Sequence, residues 1–540
     1  MTDNGGFDSK LAHTVFLQKY SMNGLETWED TCKRVVKYVT RQYLSAEIQN
    51  ELYDAMVSKK FIPAGRYLYS AGRPKHQVFN CFLMKSMDSR EGWAKLLHDA
   101  TSVLMLGGGV GVDYSDVRAE GAVIKGTGGL ATGPIALMNI MNETGRGIMA
   151  GGSRRSALMA LLSWKHGDVF KFMESKNHSE ELKALKEKDF TFPLSLDGTN
   201  ISVSYDTEFF IAIKDRKHPL HKHAKKVWEM NCLQAFSTAE PGMSFDYLND
   251  KNSLRNPCAE AISDTNNDRC NLGTVWLPKI KDKDELARIT YLGTQFLLCG
   301  GLYTDSPLEE VERVGRENNR IGLGLGGFHE WLMERGYGYE VGPELHQWLN
   351  IFERESDAAA YIESKELDVN LPKSKRAIAP NGTLGLMAGT TSGIEPLFAK
   401  AYMRRYLDGT VWKAQYVVDG VVKRLLDKGT PMEVIQDSAD ITFKQRVKFQ
   451  ADVQQYIDMG ISSTCNLPSW GSETNNEETL KTYSKLLLKY APRLRGFTCY
   501  PDGCRGGQPL VRVSLEEALA HEGLIFEEKE HSCVNGVCGT

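Results

Sequence analysis

The sequence predicts an α/β fold built on a mostly parallel sheet or barrel, preceded by a helical region. Three observations carry that expectation. From about Phe79 onward, short apolar runs (VFNCFLM, GTVWLP, RIGLGLGGF, RAIAP, STCNLP) alternate with longer amphipathic stretches such as ELHQWLNIFERESDAAAYIESKEL. Strands alternating with helices make a parallel sheet, whose ligands sit at strand C-termini and their loops. The 540 residues carry 41% hydrophobic and 25% charged side chains, enough apolar matter for a sizeable core and far from the composition of a disordered chain. The stretch before Phe79 reads as helical instead.

Taken in order, residues 1–78 form the helical lead-in. In SAEIQNELYDAMVSKKF apolar side chains recur at helical spacing after Ser45, and Pro63 with Gly65 ends the run. Residues 79–510 hold the alternating strands and helices, with no internal repeat and no long Pro- or Ser-rich linker. Residues 511–540 change character. Ser514 and Glu517 have capping-box spacing, LEEALAHE makes a short helix, and Gly523 is placed to end it. The charged FEEKEH and then SCVNGVCGT offer little to bury, so a mobile tail is expected.

Charge and composition exclude whole classes of function. With 65 Lys+Arg against 69 Asp+Glu the net charge is −4, so no chain-wide basic field attracts nucleic acid or an anionic membrane. No run approaches the ~18 apolar residues of a membrane helix, and the N-terminal MTDNGGFDSK has no signal-peptide segment, so a cytoplasmic protein is expected. The 11 cysteines are too sparse for a disulfide scaffold; in a reducing compartment they are free, metal-bound or catalytic.

NPCAE, residues Asn256 to Glu260, is the first chemical candidate. In an extended or looped segment alternate side chains share a face. Asn256, Cys258 and Glu260 would then enter one cavity while Pro257 and Ala259 turn away, bringing an amide, a sulfur and a general base to one substrate. A buried structural thiol is the plain alternative. Cys81 and Cys270 sit in strand-like contexts, and a redox pair would require Cα atoms within ~4.4–6.8 Å; core thiols are the alternative. Cys533 and Cys538, spaced CxxxxC, supply only two of the four ligands of a structural zinc site, so no metal is expected and thiol–disulfide exchange on a tail suits them better. Pro380-Asn381-Gly382-Thr383 follows RAIA and precedes a helix-like LGLMAG, so backbone N–H groups there can cradle a phosphate; the alternative is a tight strand-to-helix turn. Thirteen of the 50 glycines fall between Gly107 and Gly152, yet GGGVGV lacks a dinucleotide fingerprint.

In this order, VFNCFLM, NPCAE, CNLGTVWLP, NRIGLGLGGF, APNGTLGLMAGTTSGIEP and the terminal cysteine pair resemble the catalytic subunit of ribonucleotide reductases, of the oxygen-tolerant or cobalamin-using kinds. The resemblance runs from about Pro63 to the last residue and extends to a small phage-type branch. It implies a ten-stranded α/β barrel with a central finger loop, and a cytoplasmic enzyme (in the host cell, if phage-encoded) that makes deoxyribonucleotides for DNA synthesis. Cys258 would carry a thiyl radical that abstracts the ribose 3′-hydrogen. Glu260 would take the 3′-hydroxyl proton, and Asn256 would orient the sugar. Cys81 and Cys270 would supply two reducing equivalents, restored by Cys533 and Cys538 and a thioredoxin-like donor. Asn381, Gly382 and Thr383 would bind substrate phosphate. Within an effector region spanning 81–157, Asp88, Arg118, Arg154 and Arg155 would contact a deoxynucleotide or ATP effector such as dTTP, and homodimerisation through the helices there is expected.

The same resemblance implies departures. The first 80 residues leave no room for the family's ATP-binding regulatory domain, so on/off control by ATP and dATP should be missing. Members served by a ferritin-like di-metal subunit usually carry two adjacent tyrosines; here Phe497-Thr498-Cys499-Tyr500 has one, leaving Tyr500 as a candidate relay. The compact chain favours the separate radical subunit, with adenosylcobalamin as the alternative source. A flavin- or glycyl-radical oxidoreductase and a cysteine-containing nucleotide-binding regulator are the remoter readings. Cys32, Cys232, Cys299, Cys465, Cys499 and Cys504 are expected to be structural.

Overall fold

A computed structural model describes residues 4–150, 154–188, 192–247, 253–408, 411–504, 510–521 and 524–527. Strands Cys81–Lys85, Gly109–Asp113, Leu158–Ser163, Thr199–Asp206 and Gly242–Asp246 pair in parallel, in that order. A second parallel set starts with Asp268–Trp276 beside Ile321–Gly326. It continues through bridges from Leu323 to Arg376 and from Ile378 to Ile461, and ends with Thr464–Leu467 beside Gly496–Pro501. The two sets meet antiparallel at both edges, with Cys270 opposite Cys81 and Phe497 opposite Met243. Counting the 376–378 segment, ten strands close into a ring, the barrel that the resemblance implied.

Closure explains the sequence pattern. Every residue of Leu158–Ser163, Asp268–Trp276 and Ile321–Gly326 is buried, as in a sheet covered on both faces, so these strands read as continuous apolar runs rather than alternating ones. Outside lie long helices such as Lys283–Tyr303 and Pro343–Glu366. Inside, a separate apolar cluster of Cys81, Leu83, Leu254, Ile262, Cys270, Leu272, Ala377 and Met459 fills the lumen.

Part of that filling is a hairpin, Leu254–Arg255 antiparallel to Ile262–Ser263. Two wall glycines make room for it. A Cβ on Gly111 would lie 1.7 Å from the Arg255 carbonyl oxygen, and one on Gly460 would lie 2.5 Å from that of Ala259. These positions need glycine because backbone meets backbone there.

The lead-in holds helices Lys10–Lys19, Trp28–Thr40 and Ala46–Val57. The Ser45 hydroxyl caps the third, accepting from the Ile48 N–H at 3.3 Å. Its end differs from expectation. The chain leaves the helix at Ser58 and Lys59, where φ is 59°, and Pro63 instead belongs to strand Phe61–Pro63, antiparallel to residues 273–275 of the barrel. At the other terminus, helix Leu515–Ala520 is capped by the Ser514 hydroxyl, which accepts from the Glu517 N–H at 3.1 Å. Of the expected tail, residues 528–540 lie outside the described residues, while Ile525–Glu527 pairs with Val411–Val418, which forms a hairpin with Ala401–Asp408. Backbone pairing holds this stretch despite its charge. Among the described residues no helix is long and apolar enough to cross a membrane.

Candidate active site

The lumen hairpin places NPCAE at its tip. The Asn256 carbonyl accepts from the Ala259 N–H at 2.9 Å, closing a turn over Pro257 and Cys258, and Ala259 takes the left-handed φ of 64°. The segment is therefore a tight turn and not an extended strand. Asn256, Cys258 and Glu260 reach one cleft as expected, but Pro257 lines it too, because a turn does not alternate its side chains.

Around that tip the contacts are short. Asn256 Nδ2 donates to Cys81 Sγ at 2.9 Å, while its Oδ1 accepts from the Ala261 N–H at 3.0 Å. Cys81 Sγ lies 3.8 Å from Glu260 Oε1, and Glu260 Oε2 is buried with no hydrogen-bond partner. Burial lifts the Glu260 carboxyl to about 7, against hydrogen bonds that hold it down. Cys81 and Cys270 face each other in antiparallel register, both buried and both free. Residues directly opposite in such a pair have Cα atoms about 4.5–5.5 Å apart, within disulfide range. Burial pushes both thiols up. Cys258 is exposed to the cleft, yet the surrounding barrel wall also pushes its thiol up, with Glu260 adding to the effect. A thiol held protonated suits hydrogen-atom chemistry better than nucleophilic attack.

The cleft has a volume of about 260 Å³. The chain comes to it from several directions. Tyr20 and Arg66 arrive from the lead-in, Asn80 sits beside Cys81, and Gly107, Gly108 and Gly109 form one wall. Pro380 and Asn381 arrive on the link between segment 376–378 and the short helix Gly382–Ala388, and Thr383 in the first turn of that helix. Asn381 Nδ2 donates to Thr274 Oγ1 at 2.5 Å, and nothing lies within 4 Å of where a Gly382 Cβ would sit. Sequence reasoning missed Asn80, whose buried Oδ1 has no partner, and Thr274.

The remaining predicted residues lie elsewhere. Arg118 Nε donates to Asp88 Oδ2 at 2.7 Å beside the start of helix Arg90–Met105, so these two come together, half-exposed. Arg154–Arg155 pairs with Met149–Ala150 as a short ladder. Tyr500 sits in the barrel wall opposite Asn466, apart from the cleft lining. Within the glycine-rich stretch, Gly107, Gly108 and Gly109 line the cleft, and Gly111 lies under the hairpin, where the Arg255 backbone leaves no room for a side chain. Cys533 and Cys538 lie outside the described residues. Cys32, Cys232, Cys299, Cys465 and Cys499 are buried and Cys504 is half-buried. Among the described residues no group of three or more His, Cys, Asp or Glu side chains gathers to hold a metal.

Comparison with known proteins agrees with this geometry. The family profile described as ribonucleotide reductase, barrel domain, matches residues 79–221, 211–367 and 374–500, and that for the ribonucleotide reductase all-alpha domain matches residues 6–76. A vitamin B12-dependent ribonucleoside-diphosphate reductase of Thermoplasma acidophilum is 26% identical, covering 88% of this chain and 68% of its own. A putative adenosylcobalamin-dependent ribonucleoside-triphosphate reductase of Mycobacterium phage D29 is 28% identical, covering 84% and 75%. The ribonucleoside-diphosphate reductase large subunit of Plasmodium falciparum is 26% identical over 59% of this chain and 45% of its own. With a closed barrel, a cysteine-tipped hairpin in its lumen and profile matches over most of its length, the chain belongs to the ribonucleotide reductase family, as a catalytic subunit.

Proposed function

We propose that this chain reduces ribonucleotides to 2′-deoxyribonucleotides in the cleft around Cys258, and that adenosylcobalamin supplies its radical. The observation that carries the reaction is the hairpin tip: Cys258 and Glu260 stand beside a cysteine pair aligned for disulfide formation.

In this reading the Cys258 thiyl takes the 3′-hydrogen atom of the ribose. Glu260 accepts the 3′-hydroxyl proton on the oxygen that has no partner, and Asn256 orients the sugar. The 2′-hydroxyl leaves as water. Cys81 and Cys270 give up two electrons and two protons as their sulfurs join, and the 3′-hydrogen returns from Cys258 so that the thiyl is regenerated. One ribonucleotide and two thiols thus become one deoxyribonucleotide, one water and one disulfide. Asn381, Gly382 and Thr383 hold substrate phosphate with the backbone donors of the strand-to-helix link. Asp88, Arg118, Arg154 and Arg155 contact a deoxynucleotide effector, and Cys533 with Cys538 relays electrons from a thioredoxin-like donor.

The expectation of a ferritin-like radical subunit gives way here to its alternative. The Thermoplasma and phage relatives carry vitamin B12 or adenosylcobalamin in their names. When bound, that cofactor supplies the one-electron oxidation that takes the hydrogen atom from Cys258. The residues suit such a group: Cys258 is exposed, and the small or compact Gly108, Gly109, Ala157 and Pro257 border the cleft beside it. An assay of the purified chain with ribonucleoside di- and triphosphates and a dithiol tests the proposal. Deoxynucleotide should form with adenosylcobalamin and no second protein. Turnover only with a di-metal subunit would overturn the radical source, and none with either would overturn the reaction.

A further inference from the structure

The hairpin that carries Cys258 is held at its base by buried charge. Arg255, the residue before Asn256, is 0% exposed and its Nη2 donates to Asp246 Oδ1 at 2.7 Å. The same guanidinium donates to the carbonyls of Phe245 at 3.2 Å, Ser253 at 2.9 Å and Leu254 at 3.3 Å. Asp246 ends the Gly242–Asp246 strand and is 1% exposed; its Oδ2 accepts from the Ser253 N–H at 3.3 Å. Arg495, just before strand Gly496–Pro501, donates to Asp246 Oδ1 at 3.3 Å. One carboxylate therefore ties the hairpin to both strands of the seam where the half-barrels meet antiparallel.

Such a cluster needs a reason beyond stability. Taking ions out of water costs about as much as their attraction returns, so apolar residues of similar size would hold the lumen as well. A buried ion pair does what an apolar contact cannot, selecting one position among several of similar packing. The lumen around Leu254, Ala261 and Ile262 is apolar, and beyond Asn256 the tip meets the wall through single neutral hydrogen bonds, from Asn200 Nδ2 to the Pro257 carbonyl at 3.0 Å and from the Gly460 N–H to the Glu260 carbonyl at 2.8 Å. The chemistry above nonetheless depends on depth, since Asn256 must meet Cys81 at 2.9 Å and Glu260 must lie 3.8 Å from it.

Resting on the proposed roles of Cys258 and Glu260, we infer that Arg255 and Asp246 are positioning residues, their bridge setting how far the hairpin tip reaches into the cleft. Misplacement by about 1 Å costs on the order of 10²-fold in rate. Removing the Asp246 charge also leaves two guanidinium groups facing each other across the hairpin base.

The test compares Asp246→Asn, Arg255→Met and Arg255→Lys in the full chain, with Cys258→Ser as control. In the first two, kcat should fall about 100-fold with substrate KM within about threefold, and Arg255→Lys should recover part of the loss. The acid limb of kcat, set by Glu260, should move to lower pH as its enclosure loosens. The rate of Cys258 alkylation, followed by peptide mass without any cofactor, should change in the same variants. Asp246→Asn is nearly isosteric and decides the matter if Arg255→Met does not fold. Wild-type kcat and alkylation in Asp246→Asn would overturn the inference, as would parallel loss of kcat, KM and melting temperature with the acid limb unmoved and no rescue by lysine. Turnover surviving in Cys258→Ser would instead overturn the parent reading.

Discussion

Glu260 shows how far a single residue carries the account. Its carboxyl is 2% exposed and burial lifts it to about 7, so the carboxylate that accepts a proton forms only near neutrality. Turnover should therefore fall as pH drops through about 7, and Glu260→Gln should abolish it. Stability follows the opposite sign. A carboxyl whose folded value lies above its unfolded one contributes fully below about 4.5, and that contribution is lost as pH rises through about 7. At 1.36 kcal/mol per unit the loss is on the order of 3 kcal/mol. The melting temperature of Glu260→Gln relative to wild type should accordingly rise between pH 5 and pH 8. A pH-independent difference, read by calorimetry, would contradict this.

At this scale the sequence was legible where chemistry is local. NPCAE identified the amide, sulfur and carboxyl, although the alternation argument described the wrong backbone: the turn at Ala259 also turns Pro257 to the cleft. Arg255 was not legible. A cation beside a motif reads as surface charge until the fold brings Asp246 against it. Cys81 and Cys270 were legible only as a condition on distance, which strand register meets.

Among elements, the hairpin and the wall beneath it depend on each other through Gly111. A methyl there would lie 1.7 Å from the Arg255 carbonyl oxygen and would displace the hairpin or the Gly109–Asp113 strand. Gly111→Ala should cost roughly 10²-fold in kcat and lower the melting temperature. Gly126→Ala, in the same glycine-rich stretch with open space around the site, should change neither. Steady-state kinetics and thermal melts of the two variants check this. The apolar runs read as strands all lie in the barrel wall, and in Asp268–Trp276 and Ile321–Gly326 burial on both faces leaves a continuous apolar pattern. The third helix was legible in its start and not in its end, since Lys59 leaves it in a left-handed conformation and Pro63 is recruited by a strand more than 200 residues away. The 525–527 strand exists only because the 401–418 hairpin offers it an edge, which no local pattern announces.

For the whole molecule, the important feature is a ring made of two parallel halves with two antiparallel seams. Cys81 and Cys270 sit on one seam, and Asp246 with its two arginines on the other. Closure depends on isolated bridges at Arg376 and Ile378: RAIAP read as a short apolar run, but which strands it would neighbour in the ring was not legible, and only the family resemblance supplied ten strands closed into a barrel. Both seams serve the hairpin, one presenting the reductant and the other holding its base. The most direct test is an anaerobic single turnover of the purified chain carrying Cys533→Ser and Cys538→Ser, so that no tail dithiol can restore the active-site pair, reduced and then freed of dithiol, with ribonucleotide and the radical source that supports its activity. One deoxyribonucleotide should form per chain, with a Cys81–Cys270 disulfide appearing in peptide maps and neither product in Cys258→Ser. Deoxyribonucleotide formed while Cys81 and Cys270 remain free thiols, or formed equally by Cys258→Ser, would contradict the account.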